Sequence, residues 1–437
     1  MKKIAFTLVI LISSITLFSQ TNTPETSSFG IKFGGFVRED AIFDTRQVEQ
    51  LREGMFLFYP LNTRLDKAGD DINARSSFNL FAIGARLSGA ITGPDAFGAK
   101  TSGLLEGEFF GATNANINTL RLRHAFVKLN WSKTELLVGQ TWHALFTEEC
   151  VPNTLNFNTG SPFQPFNRSP QVRIKQSLGN HFKLTFSTVT QRDFTSTGPA
   201  GAGYQYLANA ATPEFTLGIS YTKPKTDSSA LIGFGLVGEY KVLQPRLVTD
   251  SNVCSTQKIE TFGASAYFQI ETKRMGLKVK ATYGENLYDQ LMLGGYAIRN
   301  YEIKPADGDW QYTSIACGAI WGDLFVNFGK ANLGFFGGYT QNFGANNNIY
   351  SWTSFSSTTD NPFYSRGVNI AYVCRMSPRI SYTIGKVKIG LEYDYTLAAY
   401  GNKLNSLGVI VKTADDPTAK ITQVANSRIL GMIQYNF

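Results

Sequence analysis

The sequence predicts an all-β protein, a transmembrane antiparallel β-barrel of about 16 strands with short periplasmic turns and long extracellular loops. Three observations lead there. Apolar and polar residues alternate again and again in segments of about ten residues, the length that crosses a bilayer as a tilted strand. The connections between those segments are by turns short and long. Finally, only 17% of the 437 residues are charged and 33 are Phe, yet beyond the N-terminus there is no apolar run of the ~18 residues a membrane helix needs. Helical membrane bundles and disordered chains are thereby excluded.

Residues 1–19 read as a secretory signal peptide: Lys2 and Lys3 are followed by an apolar stretch from Ile4 to Leu17 and a small residue, Ser19, at the cut. A polar segment, 20–28, precedes the barrel, which spans 29–437. Sixteen segments carry the strand pattern: 29–43, 75–88, 101–110, 118–131, 134–147, 170–177, 180–190, 212–222, 229–242, 258–271, 275–285, 310–321, 330–342, 366–382, 386–400 and 423–437. In 261–271, Phe262, Ala264, Ala266, Phe268 and Ile270 share one face, while Thr261, Gly263, Ser265, Gln269 and Glu271 share the other. In 387–397, Val387, Ile389, Leu391, Tyr393, Tyr395 and Leu397 alternate with Lys388, Gly390, Glu392, Asp394 and Thr396. A charge at every second position cannot face lipid, so it must face water inside a closed barrel.

Short turns such as Ser132-Lys133 and 272–274, with longer members at 89–100 and 322–329, alternate with long polar loops at 44–74, 111–117, 148–169, 191–211, 243–257, 286–309, 343–365 and 401–422. Sixteen strands leave an aqueous lumen where eight would be filled by side chains. The first strand begins too close to the cut for an N-terminal plug domain. The last strand places Ile429, Ile433, Tyr435 and Phe437 on one face. Ending on Phe437, it looks like the signal read by barrel-assembly machinery, so outer-membrane lipid and that machinery are expected partners.

Gly35-Phe36-Val37-Arg38-Glu39-Asp40-Ala41-Ile42-Phe43-Asp44, Leu120-Arg121-Leu122-Arg123-His124-Ala125-Phe126-Val127 and Gly139-Gln140-Thr141-Trp142 resemble the DcaP-type trimeric outer-membrane porins. The likeness implies a homotrimeric channel that prefers small anionic solutes such as dicarboxylates. Some relatives carry a long N-terminal coiled coil, for which 20–28 is too short.

Parity, without the resemblance, assigns the pore lining: Lys32, Arg38, Asp40, Arg121, Arg123, Arg173, Lys175, Lys278, Lys280, Arg375, Arg379, Lys388, Glu392 and Asp394. Bases outnumber acids in this set, and cations in a narrow lumen lower the barrier for carboxylates. Loop 148–169, rich in Pro and Phe and carrying Glu148 and Glu149, is the candidate constriction loop. Folded inward, it would set acids opposite the arginines.

Other chemistry is thin. His124 and His143 are read as wall residues without a carboxylate or thiol partner, and Asp70-Asp71 as a solvated loop. No metal site, cofactor, catalytic residue or nucleic-acid-binding run of Lys and Arg is expected. Cys150 and Cys254 fall in two extracellular loops, where a bridge would tether the constriction loop, two free thiols being the equal alternative. Cys317 and Cys374 are separated by an intervening strand. A closed surface barrel whose loops bind a partner is the second reading.

Overall fold

The computed structural model describes residues 29–226, 229–300, 307–350 and 361–437. The signal peptide expected at 1–19 and the 20–28 segment lie outside the described residues. Sixteen strands form the wall: Gly30–Asp44, the pair Ser77–Phe81 and Arg86–Thr92, Lys100–Glu108, Arg121–Asn130, Thr134–Trp142, Arg168–Leu178, Phe182–Val189, Glu214–Lys223, Leu231–Leu243, Ile259–Glu271, Met275–Glu285, Tyr312–Phe328, Ala331–Ala345, Ile370–Ile384, Val387–Gly401 and Ile421–Asn436. They are strands one to sixteen below. Each pairs antiparallel with its neighbours, and strand sixteen closes on strand one with Ile433 opposite Glu39 and Arg428 opposite Asp44. Closure removes every sheet edge, which hydrocarbon would not tolerate.

The outer face is apolar, with Leu217, Phe262, Ile320, Leu391 and Ile433 all exposed. Aromatics flank it in two rows. At the turn end Phe182, Tyr221 and Phe234 are cross-strand neighbours, with ring centroids 5.0 and 4.8 Å apart. At the loop end Phe215, Tyr240 and Phe262 are matched in the same way. Phe234 and Tyr240 are six residues apart along one strand, ~20 Å at ~3.3 Å per residue. An apolar band with an aromatic girdle on each rim is the exterior that a bilayer selects.

Two segments depart from the sequence reading. Strand two, expected at 75–88, runs from 77 to 92 and is broken at 82–85. Its pairing with strand one slips by one residue between Phe36↔Arg86 and Asp40↔Phe81, the mark of a bulge. The turn expected at 322–329 shrinks to Gly329 and Lys330, because strand twelve continues to Phe328. Gly322-Asp323 reads as a break, but Asp323 stays in register and points inward to Arg379 at 2.7 Å.

The core lies inside the barrel. Loop 143–167 and the first long loop both turn into the lumen. The first long loop folds as a hairpin, Val48–Leu51 against Phe56–Pro60, that buries Met55, Phe56, Leu57, Phe58 and Tyr59. Phe56 packs edge-on against Phe110, Phe157 and Phe166. Phe81, apolar on what parity makes a lumen face, belongs to the same cluster.

Candidate functional site

Loop 143–167 crosses the lumen by handing its backbone to charged side chains of the far wall. Lys280 donates to the carbonyls of Leu145 (2.5 Å) and Phe146 (3.1 Å), and Lys278 to that of Val151 at 2.9 Å. Asp323 accepts the amide of Asn153 at 2.9 Å, while Glu392 accepts those of Leu155 and Asn156 at 2.6 and 2.9 Å. Asp394 accepts from the Asn156 amide group at 2.9 Å, and Arg38 donates to the Leu155 carbonyl at 2.6 Å. Arg375 joins the two inward loops: its Nη1 donates to Ser161 at 2.8 Å, its Nη2 to Leu57 and Phe58 at 2.8 and 3.2 Å. A buried carbonyl or amide left without a partner costs about 1–3 kcal/mol. These side chains supply the partners that water gives an ordinary surface loop.

That placement corrects several expected pore residues. Arg38, Asp40, Arg123, Arg375, Arg379, Glu392 and Asp394 do point inward but are buried under the loops instead of lining open water. Arg121 and Arg123 belong to an ionic cluster with Arg86 and Arg168 around Glu106, Glu108 and Asp193. Its contacts include Arg121–Glu108 at 2.5 Å, Arg123–Glu108 at 2.6 Å and Arg168–Asp193 at 2.7 Å. The Trp142 ring lies under Arg168 and Arg123, at 4.6 and 5.7 Å. The acids Glu106, Glu108, Asp44, Glu214, Glu239 and Asp323 were missed, which overstated the basic excess. Glu106 and Glu108 obey the same alternation as the chosen residues and were legible. Lys32 is exposed near the turn end of strand one, and Lys388 holds the equivalent end of strand fifteen.

Arg173 and Lys175 are different. They line a small pocket of about 50 Å³ with Glu148, Glu149, Thr185, Ser220 and Tyr267, on the flank of strands six to ten, Arg173 itself being buried and Lys175 part-exposed. Glu148 stands 3.5 Å from Arg173 and Glu149 3.8 Å from Lys175, with the two carboxylates 44% and 37% exposed. The acids therefore sit beside the bases as loose pairs, not across a bore from them.

The histidines also differ from expectation. His143, at the root of the inward loop, hydrogen-bonds Glu214 and lies 3.9 Å from Glu239, all three being buried. Their ligand-type atoms fall within 4.8 Å of one another. The Leu145 amide, however, donates to His143 Nδ1 at 3.2 Å. The ring proton is thus on Nε2, the nitrogen a metal would need bare, and the group serves as a hydrogen-bonded anchor. Lys241 completes it, 2.6 Å from Asp289 and 3.4 Å from Glu239. His124 bonds the Thr141 hydroxyl at 3.1 Å. Asp71 accepts the Arg64 amide at 3.0 Å and pairs with Arg46 at 2.8 Å, which holds its carboxyl below the usual range.

The bridge considered between Cys150 and Cys254 is absent, and both are free thiols. Cys150 is carried down the lumen, its Sγ 3.9 Å from the carbonyls of Phe268 and Val279. Cys254 stays in the exposed loop above Ile259, so nine residues of strand ten, ~30 Å, separate the two levels. Burial pushes the Cys150 thiol up to about 11.

No protein-family model matches the chain, and no curated protein resembles it in sequence. Solved structures do. The outer-membrane channel DcaP of Acinetobacter baumannii superposes with a TM-score of 0.65 over 96% of this chain and 100% of its own, at 16% identity. This chain has the DcaP fold. The DcaP-like barrel is shared more distantly with an anion-selective porin from Comamonas acidovorans (TM-score 0.51, 10% identity, 94% of this chain and 100% of that one). OmpT of Vibrio cholerae is at a similar distance (0.50, 12%, 95% and 100%). At these identities the likeness concerns architecture, and the chemistry must come from the residues above.

Proposed function

We propose that the protein is an outer-membrane porin, a passive diffusion channel for small hydrophilic solutes with a preference for those bearing a carboxylate. The observation that carries this reading is the pocket beside the inward loop, where buried Arg173 and part-exposed Lys175 meet only half-exposed glutamates at 3.5 and 3.8 Å, while most other lumen charges are saturated by loop backbone or buried partners. Cationic groups in a narrow, low-dielectric passage attract carboxylates and repel cations. A neighbour of the same architecture is an anion-selective porin. The apolar band and girdles suit an outer membrane, reached after cleavage near Ser19 and assembly through the strand ending at Phe437. A homotrimer fits the apolar outer faces of strands one to five, where Phe33, Val37, Phe78, Leu80 and Leu87 are exposed. The chemistry of this site is passage, with no enzymatic step.

Reversal potentials in a salt gradient across planar bilayers test it. The expected outcome is discrete conductance steps with an anion-favouring potential. The two inward loops favour one alternative, a barrel closed by its own loops and displaying the others to a partner. Absence of current steps would select it.

A further inference from the structure

The two ends of the barrel differ in charge. The long loops mix both signs, with Arg64 and Lys67 beside Asp66 and Asp70 in the first and Lys412 and Lys420 beside Asp415 and Asp416 in the last. The turn end is cationic. Lys133, Lys183, Lys273, Arg274, Lys330 and Lys386 are all exposed there. The described acids at that end, Asp95, Glu135 and Glu271, are each taken by another base, Lys100, Lys128 and Lys225, and Asp227 lies outside the described residues. A rim of one sign repels itself unless an anionic surface or counterions face it.

Lys225, Lys273 and Arg274 border an open groove of about 860 Å³ between turns 224–230 and 272–274, lined further by Ala230, Thr272 and Met275. Parity opens it toward lipid: Ala230 shares the face of exposed Phe234 and Leu236, Thr272 that of Phe268, and Met275 that of Leu277. The groove lies four residues beyond Phe234 and Phe268 on strands nine and ten, ~13 Å along strands tilted by ~40°. That is the headgroup layer outside an aromatic row. Lys225 is engaged by Glu271 at 3.3 Å and the Thr272 carbonyl at 2.9 Å, which leaves Lys273 and Arg274 to face the groove without an acid among the described residues. The Thr226 and Ser229 hydroxyls at its edge bond each other at 2.6 Å, so one O–H of the two stays available to donate.

We propose that this groove binds the headgroup of an anionic phospholipid, its phosphate held by Lys273 and Arg274 and its acyl chains running along the apolar wall past Met275 and Leu277. A guanidinium matches two phosphate oxygens at once. A zwitterionic headgroup brings its own cation against three bases, which like-charge repulsion opposes. Each base at an anionic bilayer surface strengthens binding roughly fivefold. The inference requires only that the barrel sits in a bilayer and is independent of what the lumen passes.

Native mass spectrometry of the full-length barrel, released from micelles holding equal amounts of phosphatidylglycerol and phosphatidylcholine, tests this. Retained phosphatidylglycerol is expected to exceed phosphatidylcholine by roughly fivefold or more. In K273S/R274S, whose altered side chains are exposed, the barrel should still shift on heating while that ratio falls toward one. In K133S/K386S the ratio should stay near native, because these bases of the same rim stand at least three strands away, ~14 Å, beyond a screening length of ~10 Å. Equal retention of the two lipids by the native barrel overturns the proposal, and so does an unchanged ratio in K273S/R274S or an equal fall in K133S/K386S. Inorganic phosphate that displaces the lipid at equal concentration overturns the lipid as occupant and leaves a site for free anions.

Discussion

Along strands eleven to sixteen and one, interior charge is spent on structure: Lys278, Lys280, Asp323, Arg375, Glu392 and Arg38 each grip the backbone of an inward loop. Along strand six, Arg173 and Lys175 hold only partly exposed glutamates. The same residue types, placed by the same alternation, thus do two jobs, and the difference is set by whether they meet the loop's backbone or its part-exposed carboxylates. Parity tells which face a charge occupies. For the residues that grip the loop, what they meet there depends on contacts more than a hundred residues away in sequence.

The comparison would break most severely at the ionic cluster of strands three, four and six. Replacing Arg121 and Arg123 by Ser removes partners from Glu108, which has no exposure, and should cost about 3–5 kcal/mol per stranded buried charge. Yield of heat-modifiable folded barrel is expected to collapse, with the preference for anions in any surviving channels little altered. Survival at native yield with altered selectivity would put these arginines in the passage after all.

Next in size is the loop tip. E392Q weakens the acceptor of two loop-tip amides, those of Leu155 and Asn156, and each such charge-assisted bond contributes about 1.5–3 kcal/mol. Single-channel records should show a larger, noisier conductance at an unchanged yield. Traces as quiet as the native ones would mean the aromatic packing holds the loop unaided.

On the open flank, R173S/K175S should shift the reversal potential toward non-selectivity while folding proceeds normally. One charge at about 4 Å in water is worth about 1 kcal/mol, roughly fivefold in local anion concentration. The shift should shrink at 1 M salt, where the screening length is ~3 Å. A smaller effect separates the thiols: maleimide should label Cys254 in the folded protein and Cys150 only after unfolding, because Cys150 is buried and its thiol is raised to about 11. Labelling of both at equal rates would place the loop outside the lumen.

Much of the wall was legible. The alternation in 261–271 and 387–397 reads directly as strands ten and fifteen, and loop 148–169 declares itself by Pro and Phe. The hairpin of the first loop was not read, although Met55-Phe56-Leu57-Phe58-Tyr59 is an apolar run in an otherwise polar loop and has no reason to face solvent. The partners of His143 lay beyond sequence reasoning, since Glu214 and Glu239 come from strands eight and nine and meet the histidine only when the loop root bends inward. Burial of the chosen pore residues was equally hidden, because period-2 patterning cannot distinguish water from a loop backbone that offers the same hydrogen bonds.

The anchoring of loop 143–167 also dictates an order of events during folding. The loop leaves strand five, yet its tip is held by Glu392 and Asp394 at sequence separations of 236 to 238 residues. Contacts of such separation form late, after the intervening chain has been brought together. When strands one to five first assemble, Arg38 and the first-loop hairpin can meet residues 155–158, but the acceptors that hold the loop's tip amides are still missing. The loop can be fully anchored across the lumen only after strand fifteen arrives, which makes its locking one of the final acts of assembly, alongside the docking of Phe437 onto Gly35.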